Sequence, residues 1–239
     1  MTKGLLFDYG GTIDTNGQHW AEVLWSAYLE AKIPVSKEQF REAYVFGERA
    51  LARQPLIRPE HNFKDVLAIK CRLQADYLIE NRFLKGRHFS EKIETYVAES
   101  CYSFAKQTTA EAAKTLAKLS KKYPMVLVSN FYGNIERVLQ DFGLAEYFPI
   151  IIESAVVGIR KPDPQIFKLG AEALGFAPAE CMVIGDSVSK DIVPAQSIGF
   201  ETIWIQGKAW DESEKEDKSL ANCKAIIANF NELTQYLGV

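Results

Sequence analysis

Four places in the 239-residue chain set polar or charged side chains at the ends of short apolar runs or just before a helix. Asp8 follows Gly4-Leu5-Leu6-Phe7 and leads into the turn Gly10-Gly11-Thr12. Ser129 and Asn130 follow Met125-Val126-Leu127-Val128. Asp186 and Ser187 follow Cys181-Met182-Val183-Ile184-Gly185, with Asp191 five residues past Asp186. Lys161 precedes a helical stretch in Gly158-Ile159-Arg160-Lys161-Pro162-Asp163-Pro164. A single acid after a strand can simply cap a turn. Four such positions in one chain point further, because ligands of open α/β sheets sit beyond the carboxyl ends of the strands. Asp8 and Asp186 would then stand side by side, and two buried carboxylates repel unless a cation or proton lies between them. Hard oxygen ligands with room for water suit Mg2+. Lys161 supplies positive charge, Ser129 a hydroxyl donor, and Gly10 and Gly11 allow backbone N–H groups to approach a ligand. Together these residues describe a site for an anion, above all phosphate, held against Mg2+.

The surrounding pattern says what positions them. Residues 4–7 read as a buried strand that delivers Asp8 to a glycine turn. Helical patterns follow over residues 19–31, 36–52, 63–82 and 90–104, with Ser36 as an N-cap and Gln39 three residues on. From Thr109 onward the rhythm changes to helices over 110–122, 134–142, 164–174 and 190–198. These alternate with apolar runs at 125–128, 149–152, 181–184, 202–205 and 225–227. Strands alternating with helices predict an α/β fold, a Rossmann-like and mostly parallel sheet covered on both faces. An all-helical domain is inserted after the first strand. The expected boundaries are a core of residues 1–14 and 106–239 and an insert of residues 15–105.

Composition narrows the partners. Hydrophobic residues make up 47% of the chain and charged residues 25%, which excludes a disordered or fibrous protein. A net charge of −3 argues against nucleic acid, since phosphate backbones require a basic stripe. No apolar run approaches a membrane span, and Asp8 interrupts the short one near the start, so neither a membrane segment nor a signal peptide is expected. The four cysteines are scattered without a CxxC pair, which fits a reducing cytoplasm. His19, His61 and His88 lie too far apart in the chain to show a metal-ligand spacing. The dense charge run at 211–218 reads as a solvated loop. In the insert, Arg41, Arg49, Arg53 and Arg58 read as an exposed face, and Trp20, Trp25 and Tyr28 as packing.

Taken in order, Asp8-Tyr9-Gly10-Gly11-Thr12, Leu127-Val128-Ser129-Asn130, Lys161 within Arg160-Lys161-Pro162-Asp163, and Gly185-Asp186-Ser187 with Asp191 and Gly199 resemble the four motifs of the haloacid dehalogenase-like hydrolase superfamily, helical-cap type. The resemblance covers the core from end to end, and the insert lies where that family carries its cap. It implies that Asp8 is the nucleophile that forms a covalent aspartyl intermediate. It further implies that Ser129, Asn130, Gly11 and Thr12 serve phosphoryl binding or its loop, and that Lys161 neutralises charge beside Asp8. Mg2+ would be held by Asp8, the Gly10 carbonyl, Asp186 and Asp191. The implied substrate is a small phosphorylated molecule, and the implied assembly a monomer or homodimer.

One position departs from the pattern. Phosphatases of the family carry a second aspartate two residues after the nucleophile, as general acid and base, and this chain has Gly10 there. Such help is worth about 10²–10⁴-fold in rate. Relatives without that acid include 2-haloacid dehalogenases, which attack carbon and use no metal, and an aldehyde hydrolase that forms a Schiff base with a cap lysine. Retention of Gly185-Asp186 and Asp191 argues against the first, and Lys32, Lys37, Lys64 and Lys70 are cap lysines of an ordinary kind. A degenerate phosphate-binding or regulatory protein is the third reading that Gly10 keeps open.

Overall fold

A computed structural model describes residues 1–85, 89–208, 210 and 222–239, so His88 and the charge run at 211–218 lie outside the described residues. Among the described residues the strands form one six-stranded sheet, paired in parallel throughout. The strands are β1 (Gly4–Phe7), β2 (Met125–Ser129), β3 (Ile150–Glu153), β4 (Cys181–Gly185), β5 (Glu201–Ile205) and β6 (Ala225–Ile227). Their order is β3-β2-β1-β4-β5-β6. Strand order reverses at β1, which places the crevice between neighbouring crossovers at the end of that strand. Register puts Phe7 opposite Leu127 on one side and Ile184 on the other, so Asp8 leaves the sheet between the ends of β2 and β4. Alternate side chains face opposite ways. Leu5 and Phe7 join one buried cluster, while Leu6 packs with Val126, Val128 and Phe167 on the other face. This two-sided burial is why β1, β2 and β4 read as unbroken apolar runs.

The cap is built from α1 (Trp20–Glu30), α2 (Lys37–Arg53), α3 (Phe63–Glu80) and the first part of α4 (Glu91–Leu119). Ser36 and Gln39 form the expected capping box on α2. Trp25, Tyr28, Tyr44 and Trp210 surround the buried Phe40 ring, with centroids 5.3, 4.7, 6.2 and 5.5 Å away. Arg41, Arg49, Arg53 and Arg58 are exposed. Trp210 belongs to the core chain after β5. Lys37 covers its ring at 4.2 Å and donates to its carbonyl, while Glu22 pairs with both Lys37 and Lys208.

Two sequence expectations are corrected. The helices expected over 90–104 and 110–122 are one 29-residue helix, α4. At the expected change of rhythm the helix runs on, with the Thr108 and Thr109 hydroxyls both donating to carbonyls four residues back. The expected cap boundary at residue 105 therefore falls inside a helix. The helix expected over 190–198 is a π turn, Val188–Ile192, followed by the short α8 (Val193–Ser197).

Asp14 stands at the junction of cap and core. It is buried and accepts from the Gly11 N–H at 2.8 Å and from the Trp20 indole N–H of α1 at 2.9 Å. Burial, countered by those two donors, pushes its pKa up to about 7. A carboxyl that binds its proton more tightly when folded favours the folded state at low pH and loses that advantage as pH rises. The stability of the wild type should thus fall between about pH 4 and pH 7 with a slope that exceeds that of Asp14→Asn by up to one proton, about tenfold per pH unit in the unfolding constant. Denaturant titrations of both proteins across that range measure it. Phe40→Ala should cost about 3–5 kcal/mol through lost ring packing and the cavity left behind, read as a lower urea midpoint.

Candidate active site

The loops that follow β1, β2 and β4, with Lys161 from the stretch between β3 and β4, bring the expected residues into one crevice. Asp8 is buried, and its main-chain N–H still pairs with the Ile184 carbonyl at 2.9 Å, so the sheet itself fixes its backbone. The Lys161 ammonium reaches Asp8 Oδ1 and Asp191 Oδ1, each at 2.6 Å. Oxygens of Asp8, Asp186 and Asp191 lie within 4.8 Å of one another. Thr12 Oγ1 stands 3.1 Å from Asp8 Oδ2 and 3.0 Å from Asp186 Oδ1. A hydroxyl has one proton, so it can donate to only one of these carboxylates at a time.

Charge decides the character of the site. Burial raises the Asp8 pKa, opposed by Lys161 and reinforced by Asp191. Burial, followed by the Asp8 and Asp191 charges, raises that of Asp186 well above the usual carboxylate range. Burial works against the Lys161 ammonium, yet the Asp191 and Asp8 carboxylates outweigh it and the pKa is raised. With all three carboxylates ionised the cluster would carry two negative charges more than Lys161 neutralises, an excess that a divalent cation would balance and whose repulsion helps raise the Asp186 pKa. The donors are all oxygen, as hard cations require. Gly11 supports the same conclusion from packing. Its φ is +96°, and a Cβ there would overlap the Asp186 carboxylate. The turn is shaped to bring that carboxylate in, despite its like-charged neighbours.

Several expected substrate contacts turn inward. The Gly11 N–H is taken by Asp14, and the Thr12 hydroxyl faces the carboxylates. The Asn130 side chain accepts from the Lys161 N–H at 2.9 Å and donates to the Lys161 carbonyl at 3.1 Å. Expected to touch substrate, these three groups are here hydrogen-bonded to one another's neighbours and hold the cluster in place. Asp191 likewise has Oδ1 on Lys161 and Oδ2 on the Ser187 N–H at 3.2 Å. Ser129 is buried at the end of β2, one residue further along than the position beside Asp8. Gly10 is exposed between the buried Tyr9 and Gly11.

Two supports escaped the sequence reading. The Trp204 indole donates to the Asp186 carbonyl at 2.7 Å, although its place in β5 reads as core. Glu153 ends β3, buried, and accepts from the Gly133 N–H beside α5 (Ile135–Asp141), which pins the loop after Asn130. A polar residue at the close of an apolar run was its only signal. Lys70 of α3 is the one cap lysine of the four that is drawn under cover. Its burial is outweighed by the Glu48 carboxylate 2.7 Å away, so its pKa stands well above the ordinary value and it remains an ammonium rather than an amine nucleophile.

A sequence profile of the haloacid dehalogenase-like hydrolases matches residues 2–199. The phosphoserine phosphatase of Thermus thermophilus is 34% identical over 97 residues, 40% of this chain and 39% of that protein. The glyceraldehyde 3-phosphate phosphatase of Pyrococcus furiosus is 31% identical over 129 residues, 53% of this chain and 52% of that protein. The chain thus spans about half or less of the length of these curated relatives. A phosphoglycolate phosphatase of Photorhabdus laumondii is 25% identical over 245 residues, covering 99% of this chain and 93% of its own. Among solved structures, the magnesium-bound HAD-hydrolase YfnB of Bacillus subtilis aligns over 100% of this chain and 99% of its own, with 21% identity and a TM-score of 0.60. A dehalogenase aligns over 98% and 96%, with 18% identity and a TM-score of 0.66, so fold alone does not separate the two chemistries. The profile match over most of the chain, on a sheet whose strand ends carry Asp8, Lys161 and Asp186, makes this protein a member of the haloacid dehalogenase-like hydrolase family.

Proposed function

We propose that this hydrolase is a Mg2+-dependent phosphatase of a small phosphorylated metabolite, acting through a phosphorylated Asp8. The observation that carries the reading is the unequal sharing of positive charge in the crevice. Lys161 pairs with Asp8 and Asp191, while Asp186 has the Thr12 hydroxyl and no ammonium in contact among the described residues. A carbon–halogen hydrolase has no use for that surplus of carboxylates, so the cluster favours phosphoryl transfer. The phosphatase relatives support the same class of substrate. Asp8, Asp186 and the Gly10 carbonyl would hold the ion, with Asp191 beside them. Bound Mg2+ would screen the phosphate charge as it nears the carboxylates.

The protein groups then have distinct tasks. Lys161 holds Asp8 by one oxygen and keeps the carboxylate oriented for attack. Ser129 and the main-chain N–H groups after it lie where phosphoryl oxygens would approach the end of β2. Asn130 keeps Lys161 in place from behind. The cap, closed over the loops through Tyr9, Phe63 and Phe131, limits water. No helix among the described residues is long and apolar enough to cross a membrane. A cytoplasmic monomer or homodimer is the setting proposed.

Two outcomes test this. Isothermal calorimetry should detect Mg2+ binding by the wild type and a loss of at least about tenfold in Asp186→Ala, as expected when one carboxylate ligand is removed. Beryllofluoride, which mimics a phosphorylated aspartate, should modify the wild type and leave Asp8→Asn unmodified. Undiminished turnover in Asp8→Asn would remove Asp8 from the chemistry.

A further inference from the structure

The indole N–H of Trp204 donates to the main-chain carbonyl of Asp186 at 2.7 Å. That carbonyl lies one residue past the end of β4, beyond the ladder that joins β4 to β5. Gly185, the last residue of β4, stands in register with Trp204. Ile203 and Ile205, on either side of Trp204 in β5, pack into the cluster on the opposite face of the sheet. The Trp204 ring is 4% exposed and shares a separate buried cluster with Val188 and Ile192. These are the first and last residues of the π turn that carries Asp191. A buried indole N–H needs an acceptor, and this one takes the backbone of an acid in the crevice.

The Asp186 carbonyl and the Ser187 N–H belong to one peptide unit, and that unit is planar. Its N–H donates to Asp191 Oδ2 at 3.2 Å. Asp191 Oδ1 meets Lys161, whose ammonium also meets Asp8 Oδ1. One rigid plane thus has Trp204 on its carbonyl and Asp191 on its N–H. Turning the plane would draw the Ser187 N–H off Asp191 and change the backbone torsion at Asp186. Polarisation follows the same line, because a carbonyl that accepts a hydrogen bond makes the N–H of its own peptide a stronger donor. Asp191 has little room to adjust. A Cβ on Gly185 would stand 2.5 Å from the Asp191 Cβ and 2.6 Å from its Cγ, so the side chain is lodged against the β4 backbone. Single-turn π geometry of the kind found at Val188–Ile192 is frequent at functional sites. We propose that Trp204 is the positioning residue for the cation site: through the Asp186–Ser187 peptide it sets Asp186 and Asp191 together, and the site binds a divalent ion weakly without it. The inference rests on the reading of the acidic cluster as a Mg2+ site. Groups that orient metal ligands from behind typically contribute about 10–100-fold in affinity.

Trp204→Phe keeps an aromatic ring on the π turn and removes the N–H. Calorimetric titration with Mg2+ alone should show an affinity about tenfold or more below that of the wild type, in protein whose urea transition shows it to be folded. NMR of the isotope-labelled wild type supplies a second readout. The chain has four tryptophans, and the indole N–H signal of Trp204 should move during a Mg2+ titration with the calorimetric affinity. Elimination with Trp20→Phe, Trp25→Phe and Trp210→Phe assigns that signal, so the measurement stands even if Trp204→Phe does not fold. A part in core packing alone would lower the urea midpoint of Trp204→Phe and leave its Mg2+ affinity undiminished. That result, or a Trp204 signal that ignores Mg2+, overturns the proposal while leaving the cluster as a metal site. A wild type that binds no Mg2+ overturns the metal reading itself, and the proposal with it.

Discussion

Three carboxylates and one ammonium share a crevice that the sheet and the cap keep nearly dry, and the structure is organised around that concentration of charge. A buried ion pair recovers its desolvation cost only when its geometry is fixed and its remaining polar atoms are satisfied. The surrounding residues do this work from several sides. Asn130 grips the Lys161 backbone at both its N–H and its carbonyl. Trp204 holds the Asp186 carbonyl, and the Ser187 N–H steadies Asp191. Gly11 contributes by being small, since any side chain there would displace the Asp186 carboxylate. The parallel register of β1 with β2 and β4 delivers these groups to one edge, so sheet topology and electrostatics answer the same requirement.

That requirement explains why so little of the first layer is free to touch a ligand. Residues that look like substrate contacts when read along the chain spend their hydrogen bonds on one another once folded. Gly10 is exposed, while Ser129 at the end of β2 is buried. The cap meets this edge through its aromatic residues, with Phe63 against Tyr9 and the Trp20 indole on Asp14.

Much of this was legible in the sequence, for identifiable reasons. Parallel strands covered on both faces read as continuous apolar runs, so all six appear within a residue or two of their observed limits, although β3 and β6 are less buried than the central strands. Asp8, Lys161, Asp186 and Asp191 were legible because a charge beside a buried strand or turn is costly unless it meets a partner or a ligand. The continuity of α4 was not, because Thr108 and Thr109 carry only a weak local preference for helix, a weakness that the surrounding fold overrides. The roles of Asn130, Trp204 and Glu153 were not, because each is defined by a partner distant in the chain. The π turn at Val188–Ile192 was hidden as well, since its five residues differ from an ordinary helix only in how they pair.

The unbroken run of α4 from cap into core has a mechanical meaning. A 29-residue helix is a rod of about 43 Å, so a tilt of roughly 10° about its core end swings its far end by about 7 Å. One of the two crossings between the domains is thereby stiff, and the other, residues 14–19, carries Asp14 and its grip on Trp20 and Gly11. The cap can move as a lever rather than a flap, with its fulcrum among the residues that shape the loop after Asp8. Any swing that admits a substrate must pull on the indole that Asp14 holds, and through it on the turn that seats the Asp186 carboxylate. Access to the crevice and the arrangement of its acids are joined by a single side chain.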